Sequence, residues 1–236
     1  SSQAATFGSL TIGNTGTYKA TSGTTTVNSE TSGGYTWRND GGTFTHNNGT
    51  VTTNSSVDTK IRENTFYNLI INQSSSGKFV YWEDTSGNTC TVTNDLTITT
   101  GRLRGLVASD TVTVTGDVLV DTNGTFNHTS VWTGSINHGS LTINSGGTYN
   151  ATSGTTTITG ETSGGFAWKN DGGTFTHNNG KVIIDYDTGN FGHDTAVEEN
   201  VWNDFEIKLN SASNFVLFKD NSGNVVTFLG DLTITK

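Results

Sequence analysis

The sequence GGTFTHNNG occurs twice in the chain, at residues 41–49 and again at residues 172–180. It belongs to a longer match, in which residues 9–51 align without a gap to residues 140–182 and 32 of 43 positions are identical. Self-similarity on this scale is the signature of a repeat architecture, in which each unit buries its apolar side chains against its neighbours. The motif therefore predicts a repeat fold rather than two unrelated halves.

The duplication extends toward the end of the chain with a change of offset. Residues 79–99 align to residues 215–235, so the offset between the copies rises from 131 to 136 and five residues are added between Val182 and Asn200. We expect copy one to span residues 1–139 and a truncated copy two to span residues 140–236, stacked as one continuous body.

The composition is polar but still compatible with a folded core. Only 31% of the residues are hydrophobic and 14% are charged, and the chain has 30 Gly and no Pro or Met. Such polarity is found in disordered chains, but 12 Phe, 6 Tyr and 5 Trp together with runs of Val, Ile and Thr supply the side chains of a thin apolar core. We therefore expect a folded chain.

Short alternating segments contain most of the apolar residues, for example SLTIG at 9–13, NLIIN at 68–72 and DLTIT at 95–99. Period-two alternation predicts strands, and the intervening NDGG, TSGG and HNNG sequences predict turns. Three strands and their corners make a coil of about 20 to 25 residues, as in a β-solenoid. We predict an all-β, elongated β-solenoid (β-helix) built from the tandem duplication, and tandem antiparallel β-sandwiches are the alternative.

The alternation also assigns side chains to the interior of the coil. We expect the following apolar residues to point inward: Leu10, Ile12, Phe44, Leu69, Ile71, Leu96, Ile98, Val112 and Val114. Cys90 is the only cysteine and aligns with Val226, which predicts a small buried side chain rather than a reactive thiol.

The motifs GSLTI, GTFTHNNGTV and DLTITTG give the chain a family resemblance. The chain resembles the repetitive Gly/Thr/Asn-rich β-solenoid segments of secreted surface proteins, adhesins and phage fibre proteins. The resemblance implies an elongated extracellular protein with an adhesive or structural role, and it transfers no catalytic residue.

Charge and hydropathy restrict the partners. A net charge of −9 with only 12 Lys and Arg makes nucleic acid a poor partner, because its binding depends on clustered cations. No apolar run approaches the roughly 20 residues that a membrane-spanning helix needs. The chain opens on small residues, SSQAAT, of the kind left after signal cleavage, so we expect a secreted or cell-surface protein.

Most of the acidic residues lie in turns and are duplicated in frame, as are Asp40 and Asp171. An active site is normally single, so the turn-forming role of Asp explains them more simply. We predict no catalytic residue and no enzymatic activity.

The sequences GGYTWRND and GGFAWKND contain aromatic residues that are candidates for a binding surface. Tyr35, Trp37, Phe166 and Trp168 share one parity along their strands, so they either fill the core or form a platform for stacking on glycans. We expect the core.

The copy-two insertion contains an acidic cluster that lacks a partner in copy one. The candidate ligands for calcium are Asp185, Asp187, Asp194, Glu198 and Glu199. Calcium prefers such oxygen ligands, although a solvated loop is the simpler interpretation. We expect residues 183–199 to bulge from the rod, and we expect no cofactor other than this possible calcium.

The uncapped strand patterns at both ends suggest self-association. We expect a non-enzymatic structural protein, the subunit of an extracellular fibre or surface assembly with head-to-tail contacts. The contacts would join Leu10 and Ile12 of one chain to Leu232 and Ile234 of the next. The alternatives are a glycan-binding adhesin or phage receptor-binding rod and, third, a polysaccharide-processing enzyme.

Overall fold

A computed structural model describes residues 2–63, 65–83, 89–105, 111–127, 133–192, 194–199, 201–219 and 225–236. Within these ranges the regular elements are all β-strands, and none of the described residues forms a helix that could span a membrane. The ladders between these strands are all parallel. The all-β prediction and the β-solenoid are thus confirmed, and the parallel pairing rules out antiparallel sandwiches.

The strands are short and follow one another closely along the chain. Copy one and the junction between the copies contain β1 Ala5–Phe7, β2 Leu10–Ile12, β3 Thr17–Lys19, β4 Thr24–Val27, β5 Tyr35–Asn39, β6 Thr43–Thr45, β7 Thr50–Thr53, β8 Thr59–Arg62, β9 Thr65–Phe66, β10 Asn68–Asn72, β11 Phe79–Glu83, β12 Thr89–Val92, β13 Leu96–Gly105, β14 Thr111–Asn127 and β15 Ile136–Asn144. Copy two continues with β16 Thr148–Asn150, β17 Thr155–Ile158, β18 Phe166–Asp171, β19 Thr174–Thr176, β20 Lys181–Asp185, β21 Asp194–Glu198, β22 Val201–Trp202, β23 Asp204–Lys208, β24 Phe215–Lys219, β25 Thr227–Phe228 and β26 Leu232–Thr235.

These strands stack in three ladders that wind through about nine turns. The first ladder runs β1, β4, β7, β10, β13, β14, β15, β18, β21 and β24. The second runs β2, β5, β8, β11, β13, β14, β16 and β19. The third runs β9, β12, β14, β15, β17, β20, β23 and β26, and β3–β6 and β22–β25 form separate short pairs.

The core consists of columns of apolar side chains that run along the ladders. In the first ladder Val51, Leu69, Leu96, Val118 and Leu141 lie in register on successive strands, and each is buried. The other side chains that the sequence places inside are also buried, except that Leu10 and Phe44 are half-buried and pack against the core. Burial of this kind contributes about 25 cal/mol per Å² of apolar surface, so the columns are the main source of stability.

The number of residues in one coil of the solenoid varies more than the sequence suggests. Register partners in the first ladder are 18 residues apart between Val51 and Leu69 and 29 apart between Trp168 and Val197. The expected range of about 20 to 25 residues was too narrow. Parallel pairing fixes only the strands, so corners of different length can be accommodated outside the core.

Cys90 is a free cysteine with a fully buried side chain, as predicted. Val226, its counterpart (the aligned residue in the other copy), is half-buried and packs against the same core. Cys90 therefore acts as a small apolar side chain.

The glycine end of GGTFTHNNG forms a corner that approaches another coil closely. Gly41 has φ +94°, a conformation that side chains disfavour. A Cβ atom at Gly42 would collide with the carbonyl oxygen of Gly13 in the preceding coil. In copy two Gly172 has φ +80°, and a Cβ at Gly173 would collide with Ile143. The paired glycines are thus needed for stacking in both copies.

The asparagine end of the motif forms the next corner. Asn47 and Asn48 have φ +47° and +58°, a region that Asn tolerates better than most residues. Asn47 Nδ2 donates a hydrogen bond to the carbonyl of Ala20 at 2.6 Å, and the backbone N–H of Asn48 donates to His46 Nδ1 at 3.1 Å. The equivalent bonds recur in copy two. The motif is retained because each coil must present the same corner to its neighbours.

Strands of copy two lie in a different ladder from their counterparts in copy one. Strand β2 lies in the second ladder, but its counterpart Leu141–Ile143 within β15 lies in the first. Likewise β4 lies in the first ladder and its counterpart β17 in the third. The number of strand segments in copy one is not a multiple of three, so each duplicated strand falls on a different side of the rod.

Only part of the segment 183–199, which was expected to bulge, lies outside the strands, and several of its described residues are exposed. Residues 183–185 and 194–198 lie in β20 and β21, and within residues 186–192 the side chains of Tyr186 and Phe191 pack against the core. Tyr186 is only 1% exposed, its ring stacks on Phe191 at 4.4 Å, and its hydroxyl donates to the carbonyl of Phe215 at 3.1 Å. Burial raises the pKa of Tyr186 to about 12. Two aromatic side chains therefore anchor this segment to the solenoid by apolar contacts of its own.

Candidate functional site

Cations cluster on the outer side of the second ladder in copy one. The four arginines of the chain all lie there, on β5, β8 and β13, although the protein carries only 12 Lys and Arg and a net charge of −9. We call this surface the arginine face and define it as Tyr35, Arg38, Lys60, Arg62, Phe79, Tyr81, Glu83, Arg102 and Arg104. It contains five of the 12 Lys and Arg of the chain.

Alternation along each strand brings these side chains to the outside. In β8, Ile61 is fully buried, so Lys60 and Arg62 on either side of it point outward. In β13, Leu103 is buried between Arg102 and Arg104 in the same way. A core-facing residue at the centre of each K-I-R or R-L-R triplet therefore fixes two cations on the surface.

Strand register aligns the outward residues into rows across the ladder. One row contains Tyr35, Lys60, Tyr81 and Arg104, which are register partners on β5, β8, β11 and β13. A second row contains Arg38, Arg62 and Glu83. Neighbouring strands are about 4.8 Å apart, so the rows run along the rod with a regular spacing of side chains.

A β-bulge in β5 places Tyr35 and Trp37 on opposite faces of the strand, although the sequence predicts that they share one face. The register shifts between Tyr35, opposite Lys60, and Trp37, opposite Ile61. Trp37 is fully buried, whereas the Tyr35 ring lies among the outer cations. The expectation that these residues share a face is therefore wrong, because an extra residue reverses the alternation.

The same bulge occurs in copy two. The register shifts between Phe166 and Trp168, and Trp168 is fully buried while Phe166 is half-buried beside Lys169. Trp37 and Trp168 are thus core residues and cannot stack on a glycan. Of the four aromatic candidates, Tyr35 and Phe166 lie on the outer side of their strands, and Arg38, Lys60 and Arg62 cover Tyr35 so that it is only 7% exposed.

A network of hydrogen bonds joins the side chains at the Tyr35 end of the arginine face to one another. The Tyr35 hydroxyl donates to Glu83 Oε2 at 2.5 Å and accepts from Arg62 Nη2 at 2.8 Å. Arg62 also pairs with Glu83 Oε1 at 2.6 Å and with Asp40 Oδ1 at 3.1 Å, and Arg38 Nε donates to Asp40 at 2.8 Å. The two carboxylates therefore compensate the charges of Arg38 and Arg62 and hold their side chains in place.

The network shifts the pKa values of its members. Hydrogen bonding from Arg38 is the main reason that the pKa of Asp40 is lowered. Burial opposes ionisation of Glu83, but hydrogen bonds from Tyr35 and Arg62 still lower its pKa. Burial and the neighbouring Glu83 raise the pKa of Tyr35. The two carboxylates are therefore charged at neutral pH while the phenol is protonated.

The other end of the arginine face has cations held by aromatic rings. The rings of Phe79 and Tyr81 stack at 5.6 Å, and the Arg102 guanidinium carbon lies 5.1 Å from the centre of the Phe79 ring. Arg104 lies 5.8 Å from the Phe79 ring and 5.4 Å from the Tyr81 ring. Cation–π contacts of this kind restrain a cation without neutralising it.

The counterpart surface in copy two has a different charge pattern. Glu198 replaces Arg62, Lys219 replaces Glu83 and Leu217 replaces Tyr81. The Lys219 ammonium lies 4.4 Å from the centre of the Phe166 ring, so one cation–aromatic contact is retained. The arginine face is therefore a property of copy one alone.

The acidic residues proposed for calcium do not come together. Asp185 accepts backbone N–H bonds from Asp187 at 3.1 Å and Thr188 at 3.3 Å and lies 3.5 Å from Lys208 Nζ. Asp187 and Asp194 are both exposed. The described residues contain no group of three or more His, Cys, Asp or Glu that could hold a metal.

The last two candidate ligands have structural roles in the duplicated coil. Glu198 and Glu199 align with Arg62 and Glu63, so they do not lack partners in copy one as the sequence suggested. Glu199 accepts a hydrogen bond from Asn170 Nδ2 at 2.6 Å, and Glu63 accepts one from Asn39 Nδ2 at 2.9 Å. This Asn–Glu hydrogen bond is a corner contact that occurs in both copies. The five acidic residues therefore do not form a ligand set for calcium.

The residues expected to mediate assembly lie in β2 and β26. Leu10 is half-buried and Ile12 is buried in the first coil, whereas Leu232 and Ile234 in β26 are exposed.

No family model, curated protein or solved structure shows significant similarity to the chain.

Proposed function

We propose that the chain is a non-enzymatic structural protein, the subunit of an extracellular fibre or surface assembly whose copies stack head to tail. The observation that carries the proposal is a difference between duplicated strands. Leu232 and Ile234 in β26 are 44% and 63% exposed, whereas their counterparts Leu96 and Ile98 are fully buried. The same alternating strand is covered in copy one and bare in copy two.

The strand that covers the counterpart of β26 in copy one is a model for the strand that would cover β26. Leu96 and Ile98 are covered by Val118 and Val120 of β14, which lie in register one coil further along the ladder. In copy two β26 pairs with β23 on one edge, and its other edge has no strand among the described residues. An exposed apolar edge of this kind is suited to receive a further parallel strand.

A second copy of the chain supplies a suitable strand at its first coil. Leu141 and Ile143, the counterparts of Leu10 and Ile12, already pack in the column that contains Leu96 and Ile98. A strand with the sequence pattern of β2 can therefore lie in the same ladder as a strand with the sequence pattern of β26. Lys19 is the only charged side chain in residues 1–29, so no block of like charge opposes docking.

Head-to-tail stacking would produce a filament rather than a closed ring. The two ends of the solenoid are different surfaces, and contacts between different surfaces propagate when their rotation does not close. Parallel ladders allow the pattern of hydrogen bonds to continue across the joint. The extracellular location is part of the proposal and depends on the resemblance to secreted fibre and surface proteins.

The proposal predicts that Ile234→Lys prevents assembly. A lysine in the apolar column would have to be buried at the joint, at a cost of several kcal/mol, while the interior coils fold locally. We expect the unaltered chain to form fibres by negative-stain microscopy, and the variant to sediment as a monomer with an unchanged circular dichroism spectrum.

Thr233→Lys is the matched control. Thr233 lies in the same strand between Leu232 and Ile234, and its counterpart Thr97 is half-buried outside the column of Leu96 and Ile98. This variant should still form fibres. Fibres of equal length from Ile234→Lys, or an unaltered chain that stays monomeric at high concentration, would contradict the proposal.

A further inference from the structure

We infer that the arginine face binds an acidic polysaccharide of the polyuronate class, through carboxylate groups that bridge successive strands. This inference is independent of fibre formation. It starts from the placement of all four arginines, together with Lys60, on one side of a chain with a net charge of −9. Folding does not require this segregation of charge, because in copy one the outer positions of the other two ladders are mostly Thr and Asn.

Three of the cations form no ion pair with a carboxylate in the described part of the chain. Arg102 Nε donates one hydrogen bond to the carbonyl of Ser76 at 3.3 Å, and Lys60 contributes to the lowered pKa of Glu83. Among the described residues, no carboxylate lies within 4.0 Å of the side-chain nitrogens of Lys60, Arg102 or Arg104. Arg38 and Arg62, by contrast, are paired with Asp40 and Glu83. The uncompensated charges therefore lie beside a rigid, compensated network.

The same three cations are also held in position before a ligand arrives. The rings of Phe79 and Tyr81 support Arg102 and Arg104, and the Lys60 ammonium lies 5.1 Å from the centre of the Tyr35 ring. Restraining a flexible side chain in the free protein reduces the entropy that binding must overcome. Arginine forms paired hydrogen bonds to a carboxylate, which gives the contact a direction as well as a charge.

The row geometry indicates a polymeric ligand. Lys60 and Arg104 are register partners of Tyr81 on its two sides, so they are two strand spacings apart, which is about 10 Å. Arg102 is in register with Phe79 and lies next to Arg104 on β13. A chain with regularly repeated carboxylates can therefore contact several cations while it lies along the rod.

The number of these cations favours a polyuronate over nucleic acid. Affinity for nucleic acid grows with the number of neutralised phosphates, and three uncompensated charges on an acidic protein provide few. The same ladder continues with Thr11 on β2 and Thr125 on β14, which offer hydroxyl groups to a sugar chain. The half-buried rings of Phe79 and Tyr81 add apolar contacts for the faces of sugar rings.

Calorimetry with a galacturonate oligomer of about eight residues, at low salt, tests the inference. We expect saturable binding that is lost when the carboxylates are methyl-esterified. Replacing both arginines, Arg102→Gln with Arg104→Gln, should weaken binding by at least about tenfold, because two charge-assisted contacts are removed. The variant Lys60→Glu should weaken it as well and provides a second test if the double variant is unstable.

The counterpart surface of copy two provides the control. Lys169→Gln with Lys219→Gln removes the same formal charge from a surface that lacks arginine, so it should change the affinity less than twofold. Three results would overturn the inference: no binding of the oligomer, equal weakening by the control variant, or tighter binding of a single-stranded oligothymidylate of the same charge. The last result would assign the arginine face to nucleic acid instead.

Discussion

Lowering the pH from 7 to 4 should reduce the free energy of unfolding by about 3 kcal/mol through His138 alone. His138 is fully buried, and burial lowers its pKa from 6.5 to about 3. The unfolded imidazole therefore binds a proton at a pH where the folded one does not. The stability that neutral His138 provides is complete above pH 6.5 and is lost as the pH falls toward 3.

The surroundings of His138 offer no compensating charge. Its Nε2 lies 3.0 Å from the Tyr149 hydroxyl, and its ring meets Phe126 and Tyr149 edge to face. Burial also raises the pKa of Tyr149, so the phenol is neutral at every pH in the experiment. Protonation of His138 would thus place an unpaired charge in the core.

Urea unfolding at a series of pH values, with His138→Phe as the control, measures this contribution. Phe7 is the counterpart of His138, and its ring meets Tyr18 edge to face at 6.0 Å, much as His138 meets Tyr149 at 5.9 Å. Asp40, Glu83 and Asp121 also have lowered pKa values, so both proteins lose stability in acid. Only the difference between them reports His138, and parallel pH curves would show that its burial does not matter.

Trp168→Ala should lower the free energy of unfolding by about 3 to 5 kcal/mol, as do other truncations of large core aromatics. The Trp168 ring is fully buried and lies 4.8 Å from Phe175 and 5.1 Å from Trp202. Phe166→Ala, two residues earlier, should cost about 1 kcal/mol, because it removes a half-buried ring and its contact with Lys219.

Urea unfolding of the two variants tests the bulge between these residues. A regular strand would place both rings on one side, and the two substitutions would then have similar effects. A large difference supports the register shift at Ala167, whereas equal losses would contradict it.

The sequence was sufficient to predict the fold class and most of the core. Alternation in NLIIN and DLTIT identified Leu69, Ile71, Leu96 and Ile98 as buried, because a period of two in a repeated strand has one apolar side. It was not sufficient at Thr36 and Ala167, where a bulge reverses the alternation. Nothing in a single sequence distinguishes a bulged strand from a regular one.

The arginine face was missed for a different reason. Its residues are spread from position 35 to position 104, and only the register of four strands brings them together. The triplets KIR at 60–62 and RLR at 102–104 were the available signal, since alternation around one apolar residue places both cations outside. Conversely, sequence proximity suggested a calcium site among acidic residues that strand geometry separates.

In the proposed fibre the last coil of one chain stacks on the first coil of another, with β26 and β2 in one ladder. The most direct test is a thiol crosslink between Thr11→Cys and Thr233→Cys, which occupy outward positions of these strands. The background variant Cys90→Val, which copies Val226, removes the only native thiol. With a short bifunctional crosslinker, the doubly substituted chain should form a covalent ladder of oligomers, and neither single variant should do so. Crosslinking only within one chain, or none at concentrations where fibres are present, would contradict head-to-tail stacking through these strands.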